Sequence, residues 1–169
     1  MGGGLTRVAG SRTLDVRSGR SGRRSLVSTL GHRFTRIGNW IGVWMYRKLD
    51  GRLSSGSKKV HVLMITSPGR RTGIPRSTCV RYLDTEQGFV VWGTGSGSPR
   101  DPDRFRNLRG ANVVDVQVRE RHLKVRPREL VDGERETMWK EVVLAQAPEV
   151  AKYERRAGRV IPVAVLEPT

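Results

Sequence analysis

From about residue 60 to the C-terminal end, the apolar residues of this chain collect into six short runs rich in β-branched and aromatic side chains, at 60–66, 77–83, 88–93, 113–118, 122–128 and 161–166. Runs of this length and composition are the mark of strands. The fourth and fifth are joined only by Arg119-Glu120-Arg121. That is enough for a hairpin and far too little for the crossover that parallel neighbours require. The sheet is therefore expected to be mainly antiparallel. A helix is expected over about 133–146, with a shorter one over 150–157 and Pro148 breaking the chain between them. Six strands with a few covering helices predict an α+β fold, a small barrel with flanking helices.

Upstream the spacing changes. Leu26, Leu30, Phe34, Ile37, Ile41, Trp44, Met45 and Leu49 recur every three or four residues, one face of a helix that Gly51 ends. Trp40, Trp44, Met45 and Tyr46 bunch near its end beside Arg47 and Lys48, which suits either docking on the barrel or peripheral contact with a membrane surface. No stretch holds the roughly 18 uninterrupted apolar residues of a spanning helix. Residues 1–25 are rich in Gly, Ser and Arg and read as a disordered basic tail, leaving 26–169 as a single folded domain. No apolar run with a small-residue cleavage site follows Arg23-Arg24, so no secretory signal is expected. Cys79 is the only cysteine, which excludes an intrachain disulfide and fits a reducing cytoplasm. It is read as a structural thiol in a strand. His32, His61 and His122 have no ligand spacing, and no metal is expected.

The 32 Lys and Arg residues against 16 Asp and Glu give a net charge of +16. A field of that sign attracts polyanions, whether nucleic acid, an anionic membrane or a multiply charged small molecule. Three stretches are suited to holding one. Thr66-Ser67-Pro68-Gly69-Arg70-Arg71-Thr72-Gly73-Ile74-Pro75-Arg76 is a strand end and a glycine-containing loop, able to present backbone N–H groups and guanidinium forks together. Gly93-Thr94-Gly95-Ser96-Gly97-Ser98-Pro99-Arg100 follows an apolar strand. Its small residues admit a flat ring or phosphate close to the backbone, and Asp101-Pro102 after it resembles a helix start. It lacks the third glycine and the parallel βαβ unit of a dinucleotide fingerprint. Arg104-Phe105-Arg106-Asn107-Leu108-Arg109 reads as a short basic helix. Neither a Gly-x-Ser-x-Gly elbow nor a His-Glu-x-x-His helix is present. The pattern suits a protein that grips an anionic cofactor and leaves the chemistry to it.

In order along the chain, Trp44-Met45-Tyr46-Arg47, Gly69-Arg70-Arg71-Thr72-Gly73 with Pro75-Arg76, the Gly-rich loop, Asn107-Leu108, Tyr153-Glu154-Arg155-Arg156, and Ile161-Pro162-Val163 with Glu167-Pro168 resemble the deazaflavin-dependent nitroreductase family. These are the quinone and nitroimidazole reductases best known from mycobacteria. The likeness runs from about Trp40 to Pro168, and its most specific part is the Gly-Arg-Arg-Thr-Gly-x-Pro-Arg stretch. It implies a split β-barrel that binds coenzyme F-420, whose deazaflavin carries a phosphate and an oligoglutamate tail, and that passes a hydride to an organic acceptor such as a quinone or nitroaromatic. By that resemblance Arg70, Arg71, Thr72 and Arg76 hold phosphate and glutamate carboxylates, Asn107 supports the phosphate end, and Thr94, Gly95, Ser96 and Gly97 meet the ring and linker. Tyr153 and Thr94 are the candidates for catalytic roles, Tyr153 as a proton or hydrogen-bond donor to the reduced acceptor. Trp44, Met45, Arg81 and Tyr153 are expected at the acceptor pocket, where Trp44, Met45 and Tyr46 would line an apolar mouth.

The chain departs from the family pattern at Arg104-Phe105, where relatives tend to carry Trp-Tyr. It departs again at Arg81, in place of a strand tyrosine, and at Pro148-Glu149-Val150, in place of an aromatic run. Flavin mononucleotide or haem is the alternative cofactor for such a barrel. A carrier that binds coenzyme or lipid without turnover is a further alternative. Specific nucleic-acid binding is not expected, because no surface of interleaved basic and aromatic residues is apparent.

Overall fold

The structure is a computed structural model and describes Val43, Trp44, Tyr46 and residues 61–169. The basic tail expected over 1–25, most of the helix expected after it, and Met45 within that helix lie outside the described residues. Val43, Trp44 and Tyr46 are helical, as their spacing predicts.

All six strands form: β1 (His61–Pro68), β2 (Pro75–Thr85), β3 (Gly88–Trp92), β4 (Val114–Val118), β5 (Arg121–Leu130) and β6 (Val163–Pro168). They close a barrel in the order β1-β2-β3-β6-β5-β4, with every neighbouring pair antiparallel. The sixth strand begins two residues later than the sequence suggested. Pro162 has no N–H to donate to a ladder; its carbonyl accepts the Gly93 N–H at 2.9 Å, outside the ladder. The turn from β2 to β3 ends on Gly88, whose φ is +129°. A Cβ there would lie 2.3 Å from the Leu166 carbonyl oxygen on the neighbouring strand.

Alternation along the strands divides the apolar residues between two faces. Leu63, Ile65, Val80, Tyr82, Phe89, Val91, Val116, Val125, Ala164 and Leu166 fill the barrel, joined by Phe105 and Leu108 from helix α1 (Asp103–Arg109). Leu83, Val90, Trp92, Val163 and Val165 point the other way and are covered by a helical layer. That layer starts at α2 (Asp132–Thr137), widens into a π-helical turn over Met138–Val143, and narrows again in α3 (Leu144–Gln146). It was expected as one regular helix. The widened turn carries Trp139 and Val143, both fully buried. A single 3₁₀ turn over Pro148–Val150 leads into α4 (Ala151–Ala157), which Gly158 ends in the left-handed region at φ 60°.

Candidate functional site

The loop between β1 and β2 is a tight turn. Gly69 N–H donates to the Ile74 carbonyl (2.9 Å), and Gly73 N–H donates back to the Gly69 carbonyl (2.7 Å) with Gly73 at φ 67°. A side chain at position 69 would meet Thr72 Oγ1 at 3.0 Å and the Ile74 carbonyl at 3.2 Å, so the turn is tightly packed around Gly69. Thr72 is spent within the turn, its Oγ1 accepting the Ile74 N–H (3.4 Å). Arg70 anchors the loop to α1. Its backbone N–H and its Nη1 both donate to Asn107 Oδ1, at 3.3 and 3.2 Å, and its Nη2 lies 3.0 Å from Asp103 Oδ1. Asn107 is buried and therefore acts on the loop through Arg70. Arg71 and Arg76 are exposed and have no ion-pair partner among the described residues.

The Gly-rich loop turns on three successive residues of positive φ, Gly95 (55°), Ser96 (56°) and Gly97 (79°), after Thr94 in the right-handed helical region. A right-handed residue followed by a left-handed one is the backbone pattern that turns consecutive N–H groups into an anion-binding concavity. Only glycine fits at 97, because a Cβ there would come within 2.7 Å of the Arg156 side chain on α4. Gly93 lets Phe105 and Pro162 approach to where a Cβ would stand 3.0 Å from each. Phe105, one of the departures from the family pattern, is thus a plug of the barrel end. Its neighbour Arg104 has no ion-pair partner among the described residues, and burial pulls its guanidinium below the ordinary arginine value.

Two residues that sequence reasoning missed hold these parts together. Arg159 is 16% exposed. It donates to the carbonyls of Gly93 (2.9 Å) and Ser98 (3.1 Å), with Thr94 and Arg100 carbonyls at 3.5 and 3.4 Å, and its Nη1 pairs with Asp101 Oδ1 at 2.8 Å. Arg135 is 5% exposed; it donates to the Ile161 carbonyl (2.6 and 2.9 Å) and to Glu154 Oε1 (2.9 Å), while Trp139 Nε1 donates to Glu154 Oε2 (2.9 Å). Glu154 of the Tyr-Glu-Arg-Arg stretch therefore fixes α4 on the barrel. The only local signal for Arg159 is its place after the glycine that ends a helix; its partners lie about 60 residues away in sequence.

Tyr153 is half-buried at the edge of the outer apolar layer, with Lys152 Nζ 5.1 Å from its ring. Its hydroxyl has no hydrogen-bond partner among the described residues. Arg81, on the outward-facing side of β2, pairs through Nη2 with Glu149 Oε1 at 2.5 Å and lies 5.9 Å from the Trp92 ring centre. Its Nε is buried without a hydrogen-bond partner among the described residues. Trp44 is 54% exposed. Tyr46 is not part of an apolar mouth. It is fully buried, its hydroxyl 3.0 Å from the Val62 carbonyl and 3.2 Å from that of Gln117 while accepting the Arg119 N–H at 3.2 Å. A phenol that can satisfy its hydroxyl between two strands and a hairpin is more stable inside than at a rim.

Arg70 and Asn107 are thus in contact, and the Gly-rich loop is packed against the helix that carries Tyr153. Among the described residues no group of three or more His, Cys, Asp and Glu could hold a metal ion, and no helix is long and apolar enough to cross a membrane.

Residues 40–168 match the protein family described as F420H(2)-dependent quinone reductase. F420H(2)-dependent quinone reductases from two strains of Mycobacterium tuberculosis are each 27% identical over 125 residues, covering 72% of this chain and 84% of the relative. Among solved structures, an F420-H2 dependent reductase aligns with a TM-score of 0.56 at 25% identity, over 63% of this chain and 93% of the other. A protein described as a domain-swapped dimer aligns with a TM-score of 0.58 at 23% identity, over 76% of this chain and 97% of the other, and shares the fold.

Proposed function

The chain belongs to the F420H(2)-dependent quinone reductase family, and from that premise we propose that it binds coenzyme F-420 between the β1–β2 loop, α1 and the Gly-rich loop and reduces a quinone or nitroaromatic acceptor beside Tyr153. When bound, the reduced deazaflavin supplies the hydride. The protein's part is to grip, orient and exclude water. The observation that carries this reading is the division of labour in the arginine loop. Arg70 is committed to Asn107 and Asp103 and makes the loop rigid, while Arg71 and Arg76 are left without carboxylate partners among the described residues. Two guanidinium groups held on an anchored turn fit a phosphate and a chain of carboxylates far better than a neutral ligand.

The Gly-rich loop fits the same ligand from the other side of its chemistry. Three successive residues of positive φ, two of them glycine, turn the backbone with little side-chain bulk, and Thr94 adds a hydroxyl before them. Tyr153 offers a hydroxyl that no described residue occupies, which suits proton or hydrogen-bond donation to the acceptor. Exposed Trp44 supports apolar acceptor entry, and the same exposure supports a peripheral membrane contact as the source of a lipid-borne quinone.

The test is a titration of the full chain into coenzyme F-420 by fluorescence polarisation, with flavin mononucleotide beside it at the same salt. Selective binding of the deazaflavin is expected. Replacing Arg71 and Arg76 together by alanine should weaken it by about 2 kcal/mol or more, since charge-assisted hydrogen bonds contribute roughly 1.5 to 3 kcal/mol each. Binding of flavin alone, or of neither, overturns the assignment; equal affinity in the double variant moves the anion site elsewhere. Menadione and a nitroimidazole then decide between acceptor classes.

A further inference from the structure

Arg159 places a single guanidinium where the carbonyl groups of the Gly-rich loop converge. Gly93 and Ser98, at its two ends, are bonded at 2.9 and 3.1 Å, and the Thr94 and Arg100 carbonyls lie at 3.5 and 3.4 Å. There are no cis peptide bonds in the described chain. In a trans peptide the C=O and the following N–H point to opposite sides. With the Gly93 and Thr94 carbonyls drawn to Arg159, the N–H groups of Thr94 and Gly95 are turned away from it. These are the groups that a right-handed Thr94 followed by a left-handed Gly95 brings together. The cation also removes from the ligand side the carbonyl oxygens that would repel an anion.

Arg159 is itself held. Its Nη1 pairs with Asp101 Oδ1 (2.8 Å), Asp101 Oδ2 pairs with Arg109 Nη2 (3.1 Å), and Arg109 reaches Glu129 on β5 through Nη2 to Oε1 (2.6 Å) and through Nε to Oε2. The chain of alternating charges runs from the loop through α1, the helix to which Arg70 anchors the arginine loop, and into the barrel wall. We propose that Arg159 is a positioning residue for coenzyme binding: it sets the Gly-rich loop with the N–H groups of Thr94 and Gly95 turned outward and, through Asp101 and Arg109, registers that loop against the arginine loop. It touches no coenzyme atom, and the inference rests on the coenzyme site proposed above.

The test uses the full chain with Arg159→Gln, Arg159→Lys and Asp101→Asn, read by coenzyme F-420 affinity and by amide hydrogen exchange without coenzyme. Arg159→Lys keeps the charge but has too few donors, and in the wrong geometry, to span four carbonyls. It should fold, lose at least tenfold in affinity, and show faster exchange confined to residues 93–101; Asp101→Asn should show a smaller loss of the same kind. The acceptor KM should stay within about twofold once coenzyme is saturating. Unchanged affinity and loop exchange in Arg159→Lys would overturn the proposal. So would faster exchange spread evenly over the barrel strands, the signature of a general stability role. A wild-type protein that binds no coenzyme overturns the site itself, whereas wild-type binding with an unaltered Arg159→Lys removes Arg159 alone.

Discussion

Glu149 and Arg81 stand at two of the positions where the chain departs from its family's pattern, and the structure joins them as an ion pair. Either charge alone beside the outer apolar layer would be poorly compensated; together they neutralise one another, with Trp92 under the guanidinium. Burial pushes the Glu149 carboxyl up, but the hydrogen bond from Arg81, the group's own backbone N–H and the Arg81 and Lys152 charges together outweigh it and hold the group below the ordinary carboxylate value. A lowered folded-state value means that the pair's contribution to stability is present above the unfolded carboxylate range and is lost as pH falls through the folded value. With Glu149 48% exposed that contribution is small. The larger consequence is for the acceptor. Arg81→Tyr should raise kcat/KM for menadione several-fold with coenzyme affinity unchanged, and Arg81→Tyr with Glu149→Tyr should raise it further. Steady-state kinetics that stay at wild-type values in both variants would take this pair out of the acceptor site.

At the scale of elements, two glycines separate what makes the barrel from what makes the site. A Cβ at Gly88 meets backbone, the Leu166 carbonyl oxygen at 2.3 Å, in a conformation of φ +129° that L side chains rarely adopt. Gly88→Ala should cost about 2 kcal/mol or more of stability, read as a fall in Tm. A Cβ at Gly97, where φ is +79°, meets the stem of the Arg156 side chain on α4 rather than a strand backbone, so Gly97→Ala should lower Tm by less than Gly88→Ala and should weaken coenzyme binding. Equal effects of the two on Tm would mean that the Gly-rich loop is part of the folding core. The same contrast explains what was legible in the sequence. The six strands are legible as short runs of β-branched and aromatic residues, and α1 and α4 as short helical stretches bounded by Asp101-Pro102 and Pro148, because these are local signals. The start of β6 was misplaced because Ile161-Pro162 continues the apolar run while offering no ladder donor at Pro162. The roles of Arg159, Asp101 and Arg135 were invisible because each is defined by carbonyl, carboxylate or guanidinium partners brought close only by the fold. Tyr46 was read as lining a mouth because a helix face shows which residues are apolar but not which of them the barrel will cover.

For the whole molecule, a net charge of +16 carried so largely by arginine changes little until pH is well above neutral. Arginine charge is therefore not expected to set the alkaline limit of the fold; the buried phenols are. Tyr46 and Tyr82 are two of the three tyrosines, and both are almost wholly buried. Burial raises the Tyr82 hydroxyl to about 12, helped by the nearby Asp84 carboxylate. Burial likewise raises Tyr46, although the hydrogen bond from the Arg119 N–H offsets part of it. For a group whose folded-state value is raised, the stabilising contribution is whole below the unfolded value near 10 and is lost as pH climbs through the folded value. For Tyr82 the difference is worth about 3 kcal/mol, a sizeable share of the roughly 5–15 kcal/mol that holds a domain together. The protein should therefore keep its circular-dichroism signal to about pH 10 and lose stability steadily between about 10 and 12. Most of its tyrosinate absorbance should appear together with unfolding rather than before it. Tyr82→Phe should move that transition to higher pH. Ionisation of two or more tyrosines near pH 10, with the barrel still intact, would show that Tyr46 and Tyr82 are open to solvent.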